Sequence, residues 1–419
     1  MSAVAEPVQG VAVPRVETVV VQPTPFCNIN CTYCYLPSRT DTTVMRQETV
    51  AKLFGELFAS GFAASHVTVI WHAGEPLVVP IEFYETAFAA IEALRPPSVA
   101  IRHAFQTNGM LINAAWCDFF KRWNVGVGVS IDGPQEMHDA YRVTRDGRGT
   151  FDRTVQGLRL LREHEVPFHV ITVLTSKSIG EPERLIDFYR SESISDVCFN
   201  VEESEGAHAS GLFEDADVVA RFRTFLERFW KLARSTPEIR FVREVDSMIT
   251  RVFRPDDTPM VNPQVEPFGM LNVDCRGNVS SFSPELLGLA SPAYDDFVMG
   301  NIQEASLAAM MESEAMRAMH RDIACGVDAC RSECGYFSIC GGGSPINKLT
   351  ENGSFATTTT TFCRLVTQVP ADLVLEAFER LAAKPAATGA KSKRADRDAG
   401  KRQSSTASHA IKGIPIRSM

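Results

Sequence analysis

Six short runs rich in β-branched and aromatic residues alternate with amphipathic stripes over the first half of the chain. That alternation leaves few folds open. The runs are VETVVVQ (16–22), VTVIWH (67–72), IRHAFQTN (101–108), VGVGVS (125–130), FHVITVL (168–174) and DVCFNV (196–201). Between the first two, residues 47–60 carry Val50, Leu53, Phe54, Leu57 and Phe58, the spacing of one helix face. Similar stripes lie at 83–94, 114–123, 151–163 and 182–190, with Asn113 and Asp152 positioned to cap two of them. Strand, helix, strand in this order predicts an α/β fold with a parallel sheet. Six such units are two short of an eight-strand barrel.

Composition narrows the function classes. The 419 residues carry a net charge of −9, which gives no support to a nucleic-acid binder. No apolar stretch reaches the length of a membrane span. The start, MSAVAEPVQGVAVPRVE, lacks the basic and apolar regions of a signal peptide, so a cytoplasmic location is expected. Eleven cysteines in that compartment point to metal or redox chemistry rather than a disulfide framework. Cys117 and Cys198 stand alone in apolar segments and read as small buried hydrophobes.

The other cysteines are clustered. Cys27, Cys31 and Cys34 lie in PFCNINCTYCY, in the loop that follows the first strand. Structural zinc takes four closed ligands, and disulfides would leave one thiol over. Three thiolates in one loop instead suit three corners of a four-iron cluster, leaving the fourth iron open. The CxxxCxxC spacing, with Tyr33 before the last cysteine, resembles the radical S-adenosylmethionine (SAM) superfamily. The resemblance implies a partial (β/α)6 TIM-type barrel. It also implies a [4Fe-4S] cluster whose open iron chelates SAM, and an electron donor such as flavodoxin or ferredoxin. The cleaved SAM yields a 5′-deoxyadenosyl radical.

The same resemblance assigns a SAM site along the strand ends, where β/α barrels carry their chemistry. WHAGEP after the second strand is similar to the family's GGEP, with Ala73 in place of the first glycine. Gly74 permits close backbone approach, and Glu75 offers an acceptor to SAM's amino group. QTNG supplies Thr107 and Asn108, and SIDGP supplies Ser130 and Asp132. Arg142 suits a carboxylate because its fork pairs with two oxygens. Val173 and Leu174 are expected against the adenine, and Asn200 at the same mouth.

A second cysteine group, in CRSECGYFSICGGGSPINK and TTFCR, resembles the SPASM extension of radical SAM peptide-modifying enzymes. Cys330, Cys334, Cys340 and Cys363 would close an auxiliary [4Fe-4S] cluster; a four-cysteine zinc site is the structural alternative. Ser344 stands where another cysteine is often found, and only Cys275 and Cys325 remain, so one auxiliary cluster is expected rather than two.

The order SFSPELLG, FVMGNI, CRSECGYFSICGGGSPINK and ENGSFATTTTTFC, with IWHAGEP and FNVEESEG, is similar to cyclophane-forming SPASM peptide maturases of the GrrM/OscB type. Those enzymes join an aromatic ring carbon to the β-carbon of a nearby residue in a ribosomal precursor peptide. Such chemistry needs a base, for which Glu285 and Asp274 are candidates. Rival expectations are an anaerobic sulfatase-maturating (formylglycine-forming) enzyme, a thioether-forming peptide maturase, and a non-enzymatic scaffold that binds a peptide. The expected organisation is an N-terminal extension (1–15), the barrel (16–212) and a bridging helix with linker (213–262). A cysteine-rich SPASM-like domain with a closing helix (263–383) and a disordered basic tail (384–419) complete it. Strand one begins almost at once, so no separate leader-binding domain is expected.

Overall fold

The computed structural model describes residues 14–204, 208, 210–255 and 260–383. The basic tail and most of the N-terminal extension lie outside the described residues. Six parallel strands form the centre of the sheet: β1 (Val16–Val21), β2 (Ala63–Trp71), β3 (Ala100–Thr107), β4 (Gly126–Ser130), β5 (Phe168–Leu174) and β6 (Asp196–Val201). Helices Gln47–Ala59, Ile81–Leu94, Ala114–Arg122, Phe151–Glu163 and Pro182–Ser191 connect them. Strand β2 starts four residues before the predicted run. Ser65 and His66 are exposed there, so the apolar alternation becomes visible only at Val67.

Short strands extend both ends of this set. The ten-stranded order is β10-β9-β8-β1-β2-β3-β4-β5-β6-β7, with β7 (Phe241–Val242), β8 (Met270–Val273), β9 (Asn278–Ser281) and β10 (Gly300–Asn301). Strand β8 pairs parallel with β1, whereas β8, β9 and β10 pair antiparallel. The expected long helical region from 215 to 252 is two helices, Val218–Ala233 and Arg243–Val252. Between them Pro237 lacks an amide donor, and the chain pairs with β6 as β7 instead.

Period-two alternation sorts the side chains. On β2 and β3, Val67, Val69, Trp71, His103 and Phe105 are buried against the helices. Trp71 stacks on Phe88 at 5.7 Å, and Phe88 on His103 at 3.6 Å. The alternate residues, including His72, Gln106, Ser130, Ile171, Val173 and Asn200, meet around one cavity at the mouth of the sheet. Asn113 caps its helix by accepting from the Trp116 amide. Asp152 does not act as a cap. Asp139 takes that part, accepting from the Thr150 and Phe151 amides at 2.8 and 2.9 Å.

Residues up to Ala377 form one compact unit. The second unit begins at Phe378, and its described part is the last turns of the helix Val369–Ala382. Among the described residues, no helix is long and apolar enough to cross a membrane.

Candidate active site

The loop after β1 brings Cys27, Cys31 and Cys34 to the mouth cavity, where Gly74, Glu75, Thr107, Asn108, Ser130, Arg142, Val173 and Asn200 also lie. Cross-loop contacts hold it. The Cys27 amide donates to the Arg39 carbonyl at 3.2 Å, and those of Asn30 and Thr32 to the Val143 and Tyr141 carbonyls. Arg145 donates to the Cys27 carbonyl through Nη2 at 2.7 Å, and Arg39 to that of Cys31 at 3.0 Å. Ile29, Cys31 and Met110 form a small buried cluster under the thiols. Burial pushes the Cys27 and Cys31 thiols up to about 12 and 11. Metal binding there would release protons.

The WHAGEP loop lies directly on this segment. Glu75 donates its amide to the Phe26 carbonyl at 2.9 Å. Gly74 has φ +132°, and a Cβ on it would come within 2.2 Å of the Thr24 carbonyl oxygen. Ala73 has φ +67°, the left-handed region, which explains why glycine suits that position.

Glu75 is buried, and its carboxylate accepts from the Leu77 amide (3.0 Å), the Thr107 hydroxyl (2.6 Å) and the Asn108 amide (2.8 Å). A carboxylate has about four acceptor positions, so about one is left for a cationic ligand. Burial pushes its carboxyl up to about 7 from an ordinary 4.5. Between those values the folded chain keeps a proton that the unfolded chain releases. This group's contribution to stability is therefore full below pH 4.5 and falls as pH rises to 7. Across that window the change is on the order of 3 kcal/mol. Urea midpoints of Glu75→Gln protein at pH 5 and 7.5 are expected to differ less than those of the parent. An unchanged difference would assign the slope elsewhere.

Asp132 ties four segments together. Arg142 donates to it through Nε (2.9 Å) and Nη2 (3.1 Å), Tyr33 through its hydroxyl (2.5 Å), and Val173 through its amide (3.0 Å). Arg142 thus reaches the cavity wall already fork-bound to a carboxylate. Asn108 reaches Asn28 at 2.7 Å and the Cys27 sulfur at 3.8 Å. Ser130 accepts from Gln106 at 2.9 Å, and Asn200 from Arg243 at 2.9 Å. Leu174 is buried, on the helix-facing side of β5.

His72, which sequence reasoning passed over, stands on the cavity wall. Burial lowers it to about 4, so the ring is neutral at neutral pH, and it hydrogen-bonds the Gln106 backbone. Its Nδ1 is buried without a partner, an acceptor left for what fills the cavity. Period-two alternation was the available signal: His72, one residue past β2, continues the face of Thr68 and Ile70.

The second cysteine group surrounds one turn-rich segment. Cys330 and Cys334 end the helix Glu314–Glu333. Cys340 ends a short helix, followed by Gly341, Gly342 and Gly343, all at positive φ. At Gly342 a Cβ would come within 2.8 Å of Val327, so the chain can double back there only without a side chain. Cys363 sits in a turn capped by Thr360. Burial is the main cause that raises the Cys340 and Cys363 thiols. Neighbouring Cys334 adds to both, Cys330 to Cys340, and Cys340 to Cys363. Cys275 stands apart, in a recess with Arg46, Thr49 and Gln303. Cys325 is exposed, five residues before Cys330 and so about 140° around the helix. All eleven cysteines are free. Among the described residues, no three His, Cys, Asp or Glu side chains converge as ligands of one metal ion.

A second cavity adjoins the first. It is lined by Cys340, Cys363 and Ser344, and shares Asn200, Val201, Glu203 and Glu285 with the mouth cavity. Glu285 lies in the turn Pro284–Leu286, accepts from the Ser283 hydroxyl, and is raised by burial. Asp274, the other candidate base, is not brought to either cavity. It accepts from the Arg276 and Asn278 amides at 2.8 and 2.9 Å, capping the β8–β9 turn.

Comparison with known proteins agrees with this arrangement. Residues 21–189 match the model of the radical SAM superfamily. An uncharacterised protein of Synechocystis sp. is 40% identical over 369 residues, 86% of this chain and 92% of that protein. The chain belongs to the radical SAM superfamily. A serine-type anaerobic sulfatase-maturating enzyme of Bacteroides thetaiotaomicron is 27% identical over 338 residues, 77% of this chain and 80% of that enzyme. A solved structure, native anSMEcpe with bound AdoMet and Cp18Cys peptide, has the same fold. Its TM-score is 0.69 at 20% identity, over 88% of this chain and 98% of that one. The radical SAM family uses a [4Fe-4S] cluster and SAM, and its members are enzymes. The clustered thiols and the spare acceptors on Glu75 and His72 fit such a group.

Proposed function

We propose that this radical SAM enzyme joins an aromatic ring carbon to the β-carbon of a nearby residue in a ribosomal precursor peptide. The observation that carries this reading is the pair of adjoining cavities. One holds three cysteines, the other holds Cys340 and Cys363, and Glu285 lines both. When bound, a cluster with SAM supplies the radical that takes a substrate hydrogen, and an auxiliary cluster supplies an electron acceptor. Cys27, Cys31 and Cys34 would hold the first cluster; Cys330, Cys334, Cys340 and Cys363 would hold the second. Glu75 receives the SAM amino group, with Thr107 and Asn108 keeping its carboxylate in place. Arg142, braced by Asp132 and beside Tyr33, offers positive charge to the SAM carboxylate. Ser130, Val173 and Asn200 line the same cavity and would border the nucleoside, and Ala73 and Gly74 set the loop against the cysteine segment. Glu285 takes the proton that the ring loses; a carboxyl raised by burial is a stronger base than an exposed one. An electron donor such as flavodoxin or ferredoxin would be the partner that serves the three-cysteine site.

Resemblance to the Bacteroides sulfatase-maturating enzyme favours formylglycine formation as a second reading. The separation of Cys275 and Cys325 from the four-cysteine group weighs against it, because those enzymes typically carry ligands for two auxiliary clusters. Glu285→Gln tests the crosslinking assignment. Cross-linked peptide is expected to fall by about 10²-fold or more, while 5′-deoxyadenosine still forms. Equal loss of both products would make Glu285 structural.

A further inference from the structure

The second cavity contains more than the proposed chemistry uses. Its barrel-side wall is Phe199, Phe222, Met248 and Met270, and Phe362 and Val366 face it from the cysteine-rich segment. Among these apolar groups lies Glu244, whose side chain is 6% exposed. One carboxylate oxygen, Oε1, accepts from the Phe199 amide at 3.0 Å and from Arg243 Nε at 2.8 Å. The other, Oε2, is buried without a partner. Buried polar atoms in folded proteins are nearly always satisfied, and an orphan on a residue that lines a cavity calls for an explanation.

The geometry points to this cavity as the seat of the substrate's aromatic ring, selecting a ring that carries its own hydrogen-bond donor. A Trp indole or a Tyr phenol is therefore favoured over Phe. Aromatic and thioether walls suit a flat polarisable ring. Cys340, Cys363 and Glu285 border the same space, where an electron and a proton must leave the ring. An N–H or O–H reaching Oε2 would satisfy the orphan oxygen. A Phe ring would bury it unpaired, and sites built to bind a donor reject analogues lacking one. The positive charges of Arg243 and Arg251 also line the cavity, and Arg243 is already engaged by Glu244 and Asn200.

This inference rests on the ring-crosslinking reading. The test uses anaerobically reconstituted full-length enzyme and three probes: the N-acetyl amides of Trp, Tyr and Phe, with binding followed by calorimetry. The Trp and Tyr probes are expected to bind about tenfold more tightly than the Phe probe. Glu244→Gln is expected to remove that preference. Ser247→Phe, a substitution on the cavity wall, is expected to weaken all three probes together with iron content unchanged. Equal affinity for the three probes, or no binding of any, would overturn the inference. Formation of 5′-deoxyadenosine in the same preparations separates the two levels: its presence without ring preference removes only this inference, and its absence removes the reading beneath it.

Discussion

Cys31→Ala protein is expected to make no 5′-deoxyadenosine when reduced in the presence of SAM, and to retain about four of about eight irons, four per cubane site. The thiol is buried beside Met110 and Ile29, and the loop carrying it is pinned by Arg39. Removing Sγ therefore deletes a ligand without leaving a mobile neighbour to replace it. The remaining irons would belong to Cys330, Cys334, Cys340 and Cys363. Iron analysis and chromatography of the nucleoside check both parts. About twelve irons in the parent would contradict the single auxiliary cluster, and nucleoside from the variant would contradict the three-cysteine site.

Gly74→Ala is the second large effect. The added methyl would approach the Thr24 carbonyl oxygen to 2.2 Å and the Phe26 carbonyl oxygen to 3.1 Å, and φ is +132°. Both neighbours are backbone, immediately before Cys27, so they yield only by moving the cysteine loop. Strain and overpacking together are expected to cost about 3 kcal/mol or more, with iron loading at the first site reduced. Ala73→Gly is the opposite case. Relief of the left-handed backbone is expected to stabilise the chain by up to about 1 kcal/mol, partly offset by the entropy of glycine. Denaturant unfolding of the two neighbouring variants checks the signs. A harmless Gly74→Ala would mean that the two loops are not packed as described.

The contrast between these neighbours shows what a chain can disclose before it folds. Strands β1 to β6 were readable because each is a short run rich in β-branched and aromatic residues. The cysteines were readable because their spacing is local. Asn113 was readable as a cap for the same reason, since it bonds an amide three residues on. Asp139 was not, because it caps a helix twelve residues away from across a hairpin. Asp274, the other candidate base, bonds the Arg276 and Asn278 amides and the Asn278 side chain within its own Asx-type turn, a use the sequence did not announce. Glu75 was legible as a motif residue, but its three protein donors come partly from β3 and were not. Arg145 acts on the cysteine loop by bonding the Cys27 carbonyl from 118 residues away, which no spacing rule reports. The break at β7 was signalled by Pro237, although the pairing with β6 that replaces the helix was not.

The central claim is the crosslink, and the most direct measurement is the mass and fragmentation of a candidate precursor peptide, encoded beside this enzyme, after anaerobic coexpression. The account predicts a loss of two hydrogens in a peptide without cysteine, with no backbone fragments between the two joined residues. A two-hydrogen loss confined to a single serine as a carbonyl-reactive aldehyde, or a product that requires a substrate cysteine, would contradict it.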